Sequence, residues 1–476
     1  MEKDIENFHR LERSKDLDIL LDRIGDSQFV LLGEASHGTS EFYRWRTEIT
    51  KRLINEKEFS FMAVEGDWPD CYKVNSYIKG FPDSDNNNAY DILHSFNRWP
   101  TWMWANKEMV ELVEWLKLYN DKQQHQQQEQ KNKSFTSNSN KKIVGFYGLD
   151  LYSLWESMEA ILQYLKKVDP NAIKDAIEAY NCFEPYGKDV ENYARATAFV
   201  PDNCEDEVIE MLTSLRSKMD VYSKKDHGNR EEEYFNAEQN AITAKDAELY
   251  YRTMIKGDVN SWNIRDTHMM ETLERLIEFY GEGNSKAIVW AHNTHIGDAR
   301  ATDMSKDNTI NLGQLVRERK NSNNTVLVGF GTYKGSVIAA KRWGDKMEQM
   351  KVPPAISESW DNILHNIKND STIANSYTNN NNKLIIFSHT DDDISNKIKH
   401  ENDNNSNKIN NGKWTGQRAI GVVYNPQYEK YGNYVPTILP LRYDAFLFID
   451  ETHALHPLHM PTIDDEDFPE TFPTGV

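Results

Sequence analysis

The chain has 476 residues, a hydrophobic content of 38% and a formal net charge of −20. Because this length and composition allow a large core to be buried, we expect a globular protein of one elaborated domain or of two to three subdomains. The acidic excess disfavours nucleic acid and anionic membrane surfaces as partners.

The cysteines and the terminal segment predict the compartment. Cys71, Cys182 and Cys204 are far apart and lack metal-ligand spacing, so we expect neither a disulfide framework nor a zinc site. The first residues carry no apolar signal core, and no apolar run approaches the roughly 18 residues of a membrane span. The sequence therefore favours a cytoplasmic protein.

Short apolar runs rich in β-branched and aromatic residues alternate with helical patterns along the chain. This alternation predicts an α/β fold with a central, mainly parallel sheet flanked by helices. In the first predicted helix, apolar residues at 42, 45, 49, 53 and 54 share one face, and Thr39 or Ser40 can cap its N-terminus. The predicted strands are 29–32, 61–65, 143–147, 287–290, 325–330, 384–387, 419–424 and 445–449.

The strand series is interrupted by a long helical stretch from about Leu154 to Tyr280, where an apolar stripe ends at Gly281. We therefore expect a helical subdomain inserted into the α/β core, followed by a smaller α+β subdomain. Three polar tracts, 121–141, 379–382 and 391–412, predict surface loops without a catalytic role. The predicted division is 1–153 (first part of the core), 154–257 (helical insertion), 258–345 (second part of the core) and 346–476 (α+β subdomain and C-terminal return).

Glu34 and His37 follow the first predicted strand and are flanked by Gly33 and Gly38. Loops that leave the carboxyl ends of parallel strands line a common crevice, so both side chains can face one pocket. A carboxylate bound to one imidazole nitrogen fixes the tautomer and leaves the other nitrogen free to take a proton from water. The alternative is a structural loop histidine and a glutamate that stabilises the next helix.

A second acidic pair, Glu65 and Asp67, lies at the end of the next predicted strand. Glu65 can orient a histidine or share a proton with Glu34, and with Asp67 it can bind a cation or a substrate. An acidic residue in this place is also a common cap for the following helix.

His292 and His295 follow the strand predicted at 287–290. Their spacing permits joint metal ligation or hydrogen bonds to a developing oxyanion. The helical zinc motif, in which two histidines four residues apart enclose a glutamate, is absent. We therefore predict no metal and no other cofactor, with a metal site kept as an alternative.

Three further residues can contact the substrate or its developing charge. Arg46 lies on the first predicted helix and can clamp a carbonyl or carboxylate oxygen, unless it is simply solvated at the surface. Arg265 is a second cationic candidate. Trp102 belongs to an aromatic cluster at 99–104 that can wall a bulky substrate or pack in the core.

Six ordered motifs resemble those of the erythromycin esterase family, and most of all its branch labelled succinoglycan biosynthesis proteins. The resemblance runs from about Phe29 to Leu458 and covers nearly the whole chain. The motifs are LGEASHGTSEF, AVEGDWPD, RWPTWMWAN, VGFYGLDLYSL, FNAEQN and VWAHNTHIGDAR.

The resemblance implies the same α/β core with a helical insertion, and metal-independent hydrolysis of a macrocyclic lactone. It implies that His37 is the general base and that Glu34 and Glu65 orient it. The remaining positions that match the family's catalytic set are Arg46, His292 and His295.

The sequence thus predicts a hydrolase that cleaves a small-molecule carboxylic ester or lactone by direct attack of water. No Gly-x-Ser-x-Gly elbow is present, which removes the usual serine route. The oxyanion would be met by His292 or His295 and by Arg46. The alternatives are a non-catalytic ligand-binding homologue, a metal-dependent hydrolase, and an acyl transferase in polysaccharide metabolism.

Overall fold

The computed structural model describes residues 8–82, 88–133, 143–186, 190–199, 203–219, 230–254, 260–367, 381–387 and 414–460. The predicted tract at 391–412 lies outside the described residues. The strands are β1 (Phe8–Arg10), β2 (Phe29–Leu32), β3 (Phe61–Asp67), β4 (Gly145–Asp150), β5 (Ala287–Trp290), β6 (Thr325–Ala339), β7 (Glu348–Val352), β8 (Lys383–Ile386), β9 (Thr415–Arg418), β10 (Tyr434–Thr437) and β11 (Ala445–Thr452).

Nine of these strands form one mixed sheet in the order β1-β8-β11-β6-β2-β5-β3-β4, with β7 paired to the long strand β6. The run from β11 to β4 is parallel throughout, whereas β1, β8 and β7 pair antiparallel. This confirms the predicted α/β class with a mainly parallel sheet. A separate antiparallel pair, β9 and β10, belongs to the smaller α+β part.

Strands β2 and β5 are apolar along their whole length because both faces of the sheet are covered. In β2, Val30 and Leu32 pack into one hydrophobic core, while Phe29 and Leu31 pack into the core on the opposite face. A parallel sheet buried on both faces gives continuous apolar runs of this kind. The sequence pattern therefore located β2 and β5 with the bounds that the structure has.

The α-helices flank the sheet and fill the stretch that interrupts the strand series. They are α1 (Asp18–Ile24), α2 (Ser40–Lys57), α3 (Trp68–Lys79), α4 (Ala89–His94), α5 (Lys107–Lys133), α6 (Leu154–Val168), α7 (Ile173–Tyr180), α8 (Val190–Phe199), α9 (Glu205–Ser217), α10 (Arg230–Met254), α11 (Asn260–Tyr280), α12 (Asn293–Ile296), α13 (Leu312–Lys320), α14 (Trp360–Asn366), α15 (Glu429–Gly432) and α16 (Leu439–Arg442). Among the described residues, no helix has both the length and the apolar character needed to cross a membrane.

The predicted helical insertion is present: from α6 to α11 the described part of the chain is helical and contains no strand. It has hydrophobic clusters of its own, one of them around Ile161, Leu165 and Met211. The apolar stripe of α11 ends at Tyr280, and Gly281 follows with a positive φ of 103°. The exact domain boundaries remain predictions.

The sequence predicted no disulfide framework, but Cys182 and Cys204 form a disulfide within the helical insertion. The two cysteines are 22 positions apart, and spacing alone does not reveal such pairing. Cys71 is a buried free thiol. The cysteines therefore no longer support the prediction of a reducing compartment.

The strand predicted at 419–424 was also wrong, because β9 ends at Arg418. Residues 419–424 make only isolated bridges, from Ile420 to Ser36 and from Val423 to Ala340. A short apolar run cannot be told from a strand by its composition alone, which explains the error. This segment lies across the loop that carries the first predicted site residues.

Two polar tracts differ from the surface loops that we predicted. Residues 121–133 belong to α5, since their lysines, glutamines and glutamates are good helix formers. At the other tract, Asn381 donates to the backbone oxygen of His365, and Asn382 accepts from the backbone N–H of Asp450. Residues 134–141 and 379–380 lie outside the described residues.

Candidate active site

Four neighbouring parallel strands end at the same edge of the sheet, and each is followed by charged or imidazole side chains. The strands are β2, β5, β3 and β4. Parallel pairing places their carboxyl ends together, which is where α/β proteins bind ligands. The side chains that this edge brings together are Glu34 and His37, His292 and His295, Glu65 and Asp67, and Asp150.

Glu34, His37 and Arg46 form a first group, called here the His37 cluster. His37 Nδ1 lies 2.8 Å from Glu34 Oε1, and Arg46 Nη2 donates to Glu34 Oε2 at 2.6 Å. With the Nδ1 proton directed at the carboxylate, His37 Nε2 is left as a free base. Gly38 permits this loop to approach β6 closely, because a Cβ at 38 would lie 1.9 Å from the backbone oxygen of Ile338.

Arg46 lies behind Glu34 and does not face the substrate side. Its side chain is 0% exposed, and its guanidinium carbon lies 4.3 Å from the ring centre of Tyr43 and 4.4 Å from that of Trp290. The expectation that Arg46 clamps a substrate oxygen was therefore wrong. Its charge neutralises the buried carboxylate that orients His37.

His295, Glu65, Arg265, Asp150 and Asp266 form a second group, called here the His295 cluster. Arg265 donates to both oxygens of Asp150, at 2.9 and 2.6 Å, and to Glu65 Oε1 at 2.8 Å. His295 Nδ1 lies 3.0 Å from each oxygen of Asp266. The imidazole and the guanidinium of this cluster are therefore both engaged by carboxylates of the protein.

The charge on His295 follows from its two acidic partners. Burial lowers its pKa, but Asp266 and Glu65 outweigh burial and raise the pKa to about 9. A neutral ring would accept from Arg265 Nη1 at 3.1 Å, whereas a protonated ring donates from Nε2 to Glu65 Oε1 at 3.3 Å. Because two carboxylates flank the ring, the protonated form is favoured.

Glu65 links this cluster to the other histidine of the predicted pair. Burial alone would raise its pKa, but His295 and Arg265 hold the pKa well below its usual range. Its second oxygen accepts the backbone N–H of His292 at 2.8 Å. An ionised Glu65 thus fixes the turn that follows β5.

His292 is a neutral imidazole beside His37, with 4.8 Å between the ring centres. Its Nδ1 accepts from the backbone N–H of Thr294 at 3.3 Å and lies 2.8 Å from the Thr294 hydroxyl. Burial, reinforced by the neighbouring imidazole of His37, lowers the pKa of His292 well below its usual range. The proton therefore sits on Nε2, which has no hydrogen-bond partner in the described part of the chain.

A cavity of about 160 Å³ opens above this edge of the sheet. Its polar floor includes His37, with a side chain that is 9% exposed, together with Glu65, Asp67, Asp150 and Arg265. The aromatic residues of its walls are Phe96, Trp99, Trp104, Tyr152 and Trp343.

Trp102, expected to contact the substrate, does not line the cavity and is fully buried in the core. Its neighbours Trp99 and Trp104 take the wall positions instead. Trp99 also contacts Trp343, with ring centres 4.5 Å apart, and donates from its indole to the backbone oxygen of Asp345. The aromatic cluster therefore divides between core and cavity.

Sequence reasoning missed several residues of the site. Asp150 is the last residue of β4, and Glu65 lies near the end of β3. A search for acidic residues at the ends of predicted strands could therefore have found Asp150. Asp266 lies next to Arg265 but within α11, where only tertiary packing shows that it meets His295. Trp343 lies beyond the long strand β6, and no sequence pattern around it indicates that it belongs to the site.

In the described ranges, no three His, Cys, Asp or Glu side chains are arranged to hold a metal ion. The histidines instead bind carboxylates and a hydroxyl of the protein itself. His37 contacts Glu34, His295 contacts Asp266, and His292 contacts Thr294.

A sequence profile of the erythromycin esterase family matches residues 54–452, which is most of the chain. The chain belongs to the erythromycin esterase family. This confirms the resemblance that the six motifs indicated. Family membership supports an ester hydrolase that acts on a small molecule.

Solved structures show the same fold across nearly the whole chain. A succinoglycan biosynthesis protein has a TM-score of 0.68 at 20% identity, covering 95% of this chain and 97% of its own. A Bacillus cereus protein has a TM-score of 0.67 at 18% identity, covering 94% of each chain. A histidine-to-asparagine variant of the erythromycin esterase EreC, in its open conformation, has a TM-score of 0.60 at 14% identity, covering 93% of this chain and 95% of its own.

Proposed function

We propose that this protein hydrolyses a carboxylic ester or lactone by direct attack of water, with His37 as the general base. The observation that carries the proposal is the Glu34–His37 pair, in which Nδ1 is bound to a buried carboxylate and the ring lines the cavity. Family membership supports ester hydrolysis in general. The free Nε2 supplies the base that this chemistry needs.

In the proposed reaction, His37 Nε2 takes a proton from water while the water oxygen bonds to the substrate carbonyl carbon. The imidazolium that forms is stabilised by Glu34, whose carboxylate is held in place by Arg46. This orientation fixes both the tautomer and the direction of the ring. It is the same logic that carboxylate–histidine pairs follow in other hydrolases.

Negative charge that develops on the carbonyl oxygen needs hydrogen-bond donors. We propose Arg265 as the first donor, because it lines the cavity and its Nη1 loses its acceptor when His295 is protonated. The Nε2–H of His292, beside His37, is the second. Arg265 thereby takes the role that the sequence had suggested for Arg46.

The walls of the cavity indicate the class of substrate. Trp99, Trp104, Tyr152 and Trp343 offer flat apolar surfaces near the polar floor, and Trp343 is 66% exposed. Such walls suit an ester or lactone with a bulky apolar part. We propose no macrolide specifically, and a cytoplasmic location remains a prediction.

The test is a panel of esters and lactones incubated with the wild-type protein and with His37→Asn, before and after treatment with a chelator. We expect hydrolysis by the wild type that survives the chelator and falls by about 10²–10⁴-fold in the variant, the usual contribution of a general base. Substantial hydrolysis by a folded His37→Asn protein would contradict the role of the base.

The same panel separates the alternatives. Loss of turnover on chelation would indicate a metal-dependent hydrolase. Tight binding of a ligand that emerges unchanged would indicate a binding homologue. Products formed with added alcohols or amines would indicate an acyl transferase.

A further inference from the structure

Asp67 lies at the cavity beside the proposed catalytic residues but has no part in the proposed attack of water. It is the last residue of β3, where the pairing with β4 shifts register between Val64 and Asp67. Gly148 leaves room for this irregularity, because a Cβ there would lie 2.3 Å from the backbone oxygen of Gly66. The side chain of Asp67 is 10% exposed and lines the same cavity as His37.

The carboxyl group of Asp67 is only partly bound. Its Oδ2 lies 2.6 Å from Arg98 Nε, but the Nε–H is not aligned for a hydrogen bond, and the same guanidinium also binds Glu156. Its buried Oδ1 has no hydrogen-bond partner among the described residues. By contrast, both oxygens of the neighbouring Asp150 accept hydrogen bonds from Arg265.

The surroundings of Asp67 favour the protonated form. Burial raises its pKa most, Arg98 lowers it, and the carboxylates of Asp150, Asp70 and Glu156 raise it further, to about 7. Near neutral pH a part of the population therefore carries a proton. Oδ1 can hold that proton without breaking a contact, because it makes none within the described protein.

We infer that Asp67 is a further catalytic residue, the acid that protonates the leaving oxygen of the substrate. The inference rests on the proposed hydrolase function. Ester hydrolysis needs a base on the side of the attacking water and an acid on the side of the departing oxygen. Asp67 and His37 line one cavity with complementary groups, a carboxyl that is only partly bound and an imidazole whose Nε2 is not engaged by Glu34.

The step balances without a further reactant. As the tetrahedral intermediate collapses, the bond between the carbonyl carbon and the leaving oxygen breaks, and its electron pair goes to that oxygen. The carboxyl group of Asp67 donates its proton to the same oxygen, which leaves as an alcohol. The carboxylate of Asp67 then stays beside Arg98, and the proton that His37 took from water restores Asp67 through solvent.

The test compares the ethyl ester and the 4-nitrophenyl ester of one acid, using Asp67→Asn. Nitrophenolate leaves without a proton, whereas ethoxide needs one. We expect kcat/KM for the ethyl ester to fall by about 10²–10⁴-fold in Asp67→Asn, the range of general acid catalysis, and kcat/KM for the nitrophenyl ester to change little. Equal losses for both esters, or no loss for either, would overturn the inference and leave the proposed hydrolase intact.

Asp70→Asn is the matched control, because Asp70 lines the same cavity and pairs with Lys73 on the surface of α3. At acidic pH, where Asp67 is protonated in both proteins, it should keep the wild-type ratio between the two esters. Removing its charge lowers the pKa of Asp67, so the loss of ethyl-ester turnover with rising pH should begin at lower pH. A control that lost the ester ratio as Asp67→Asn does would also count against Asp67.

An infrared difference spectrum tests the acid without any substrate. At neutral pH the wild type should show a protonated carboxyl band that Asp67→Asn lacks. Absence of the band from the wild type, or its persistence in the variant, would overturn the inference whatever the turnover. A wild type that cleaves no ester would instead end the proposed function and this catalytic role with it.

Discussion

The two histidine clusters at the edge of the sheet use the same residue type for different purposes. His37 binds one carboxylate and keeps one nitrogen free at the cavity. His295 is flanked by Asp266, Glu65 and Arg265, so neither nitrogen is free. A base must have an open position, whereas a structural imidazole is most stable when every position is filled.

The clusters also differ in how their charges are neutralised. In the His37 cluster a single arginine, Arg46, is buried against the single carboxylate Glu34. In the His295 cluster two cations and three carboxylates share their contacts. The His37 cluster therefore depends on one ion pair, and losing this pair should lower the free energy of unfolding more than losing one contact of the His295 cluster.

Arg46→Met should produce the largest effect on stability. It leaves Glu34 as a buried carboxylate without its cation, and breaking a buried pair in this way costs about 3–5 kcal/mol. Urea unfolding measures the loss, and the double variant Arg46→Met/Glu34→Gln should recover part of it. Lys51→Met on the same helix, whose pair with Glu48 is long at 3.8 Å, should stay within roughly 0.5 kcal/mol of the wild type.

A loss of the same small size in Arg46→Met and Lys51→Met would contradict this interpretation. It would mean that Glu34 is solvated or neutral in the folded protein. The contrast between a one-pair cluster and a shared network would then disappear.

Asp266→Asn should have a smaller, pH-dependent effect on the His295 cluster. The folded-state pKa of His295 is raised to about 9, above the ordinary value of about 6.5. Protonation of His295 therefore contributes stability fully below pH 6.5, and this contribution is lost as the pH rises through 9. The wild-type unfolding free energy should fall across this window.

In Asp266→Asn the slope across the same window should be flatter, because the neutral amide no longer favours the imidazolium. Urea midpoints between pH 6 and pH 9.5 give the comparison. Asp307→Asn, at an exposed position, should keep the wild-type slope. An unchanged slope in Asp266→Asn would show that His295 is neutral and accepts from Arg265.

Much of the site was predictable from sequence because its polar residues lie at or just after the carboxyl ends of parallel strands. β2 and β5 are buried on both faces, so their apolar runs stand out and point directly to Glu34, His37 and His292. Asp150 also lies at a strand end, but the strand predicted at 143–147 ended before it. Local patterns therefore found the edge of the sheet and most of the polar residues in the loops that leave it.

Local patterns could not show which side chains face the cavity. Arg46 and Trp102 are fully buried, and only packing between distant elements decides this. Trp343 reaches the cavity from beyond β6, where the sequence has no periodic signal. The Cys182–Cys204 bond is a similar case, since it depends on how the helices of the insertion fold back.

The central claim is that His37 performs the chemistry while His295 supports the structure. It is tested most directly by measuring ester turnover and urea unfolding for His37→Asn and His295→Asn side by side. The account predicts that His37→Asn loses about 10²–10⁴-fold in turnover with a nearly unchanged unfolding midpoint, whereas His295→Asn is clearly destabilised. Near wild-type turnover in a folded His37→Asn protein would contradict the account.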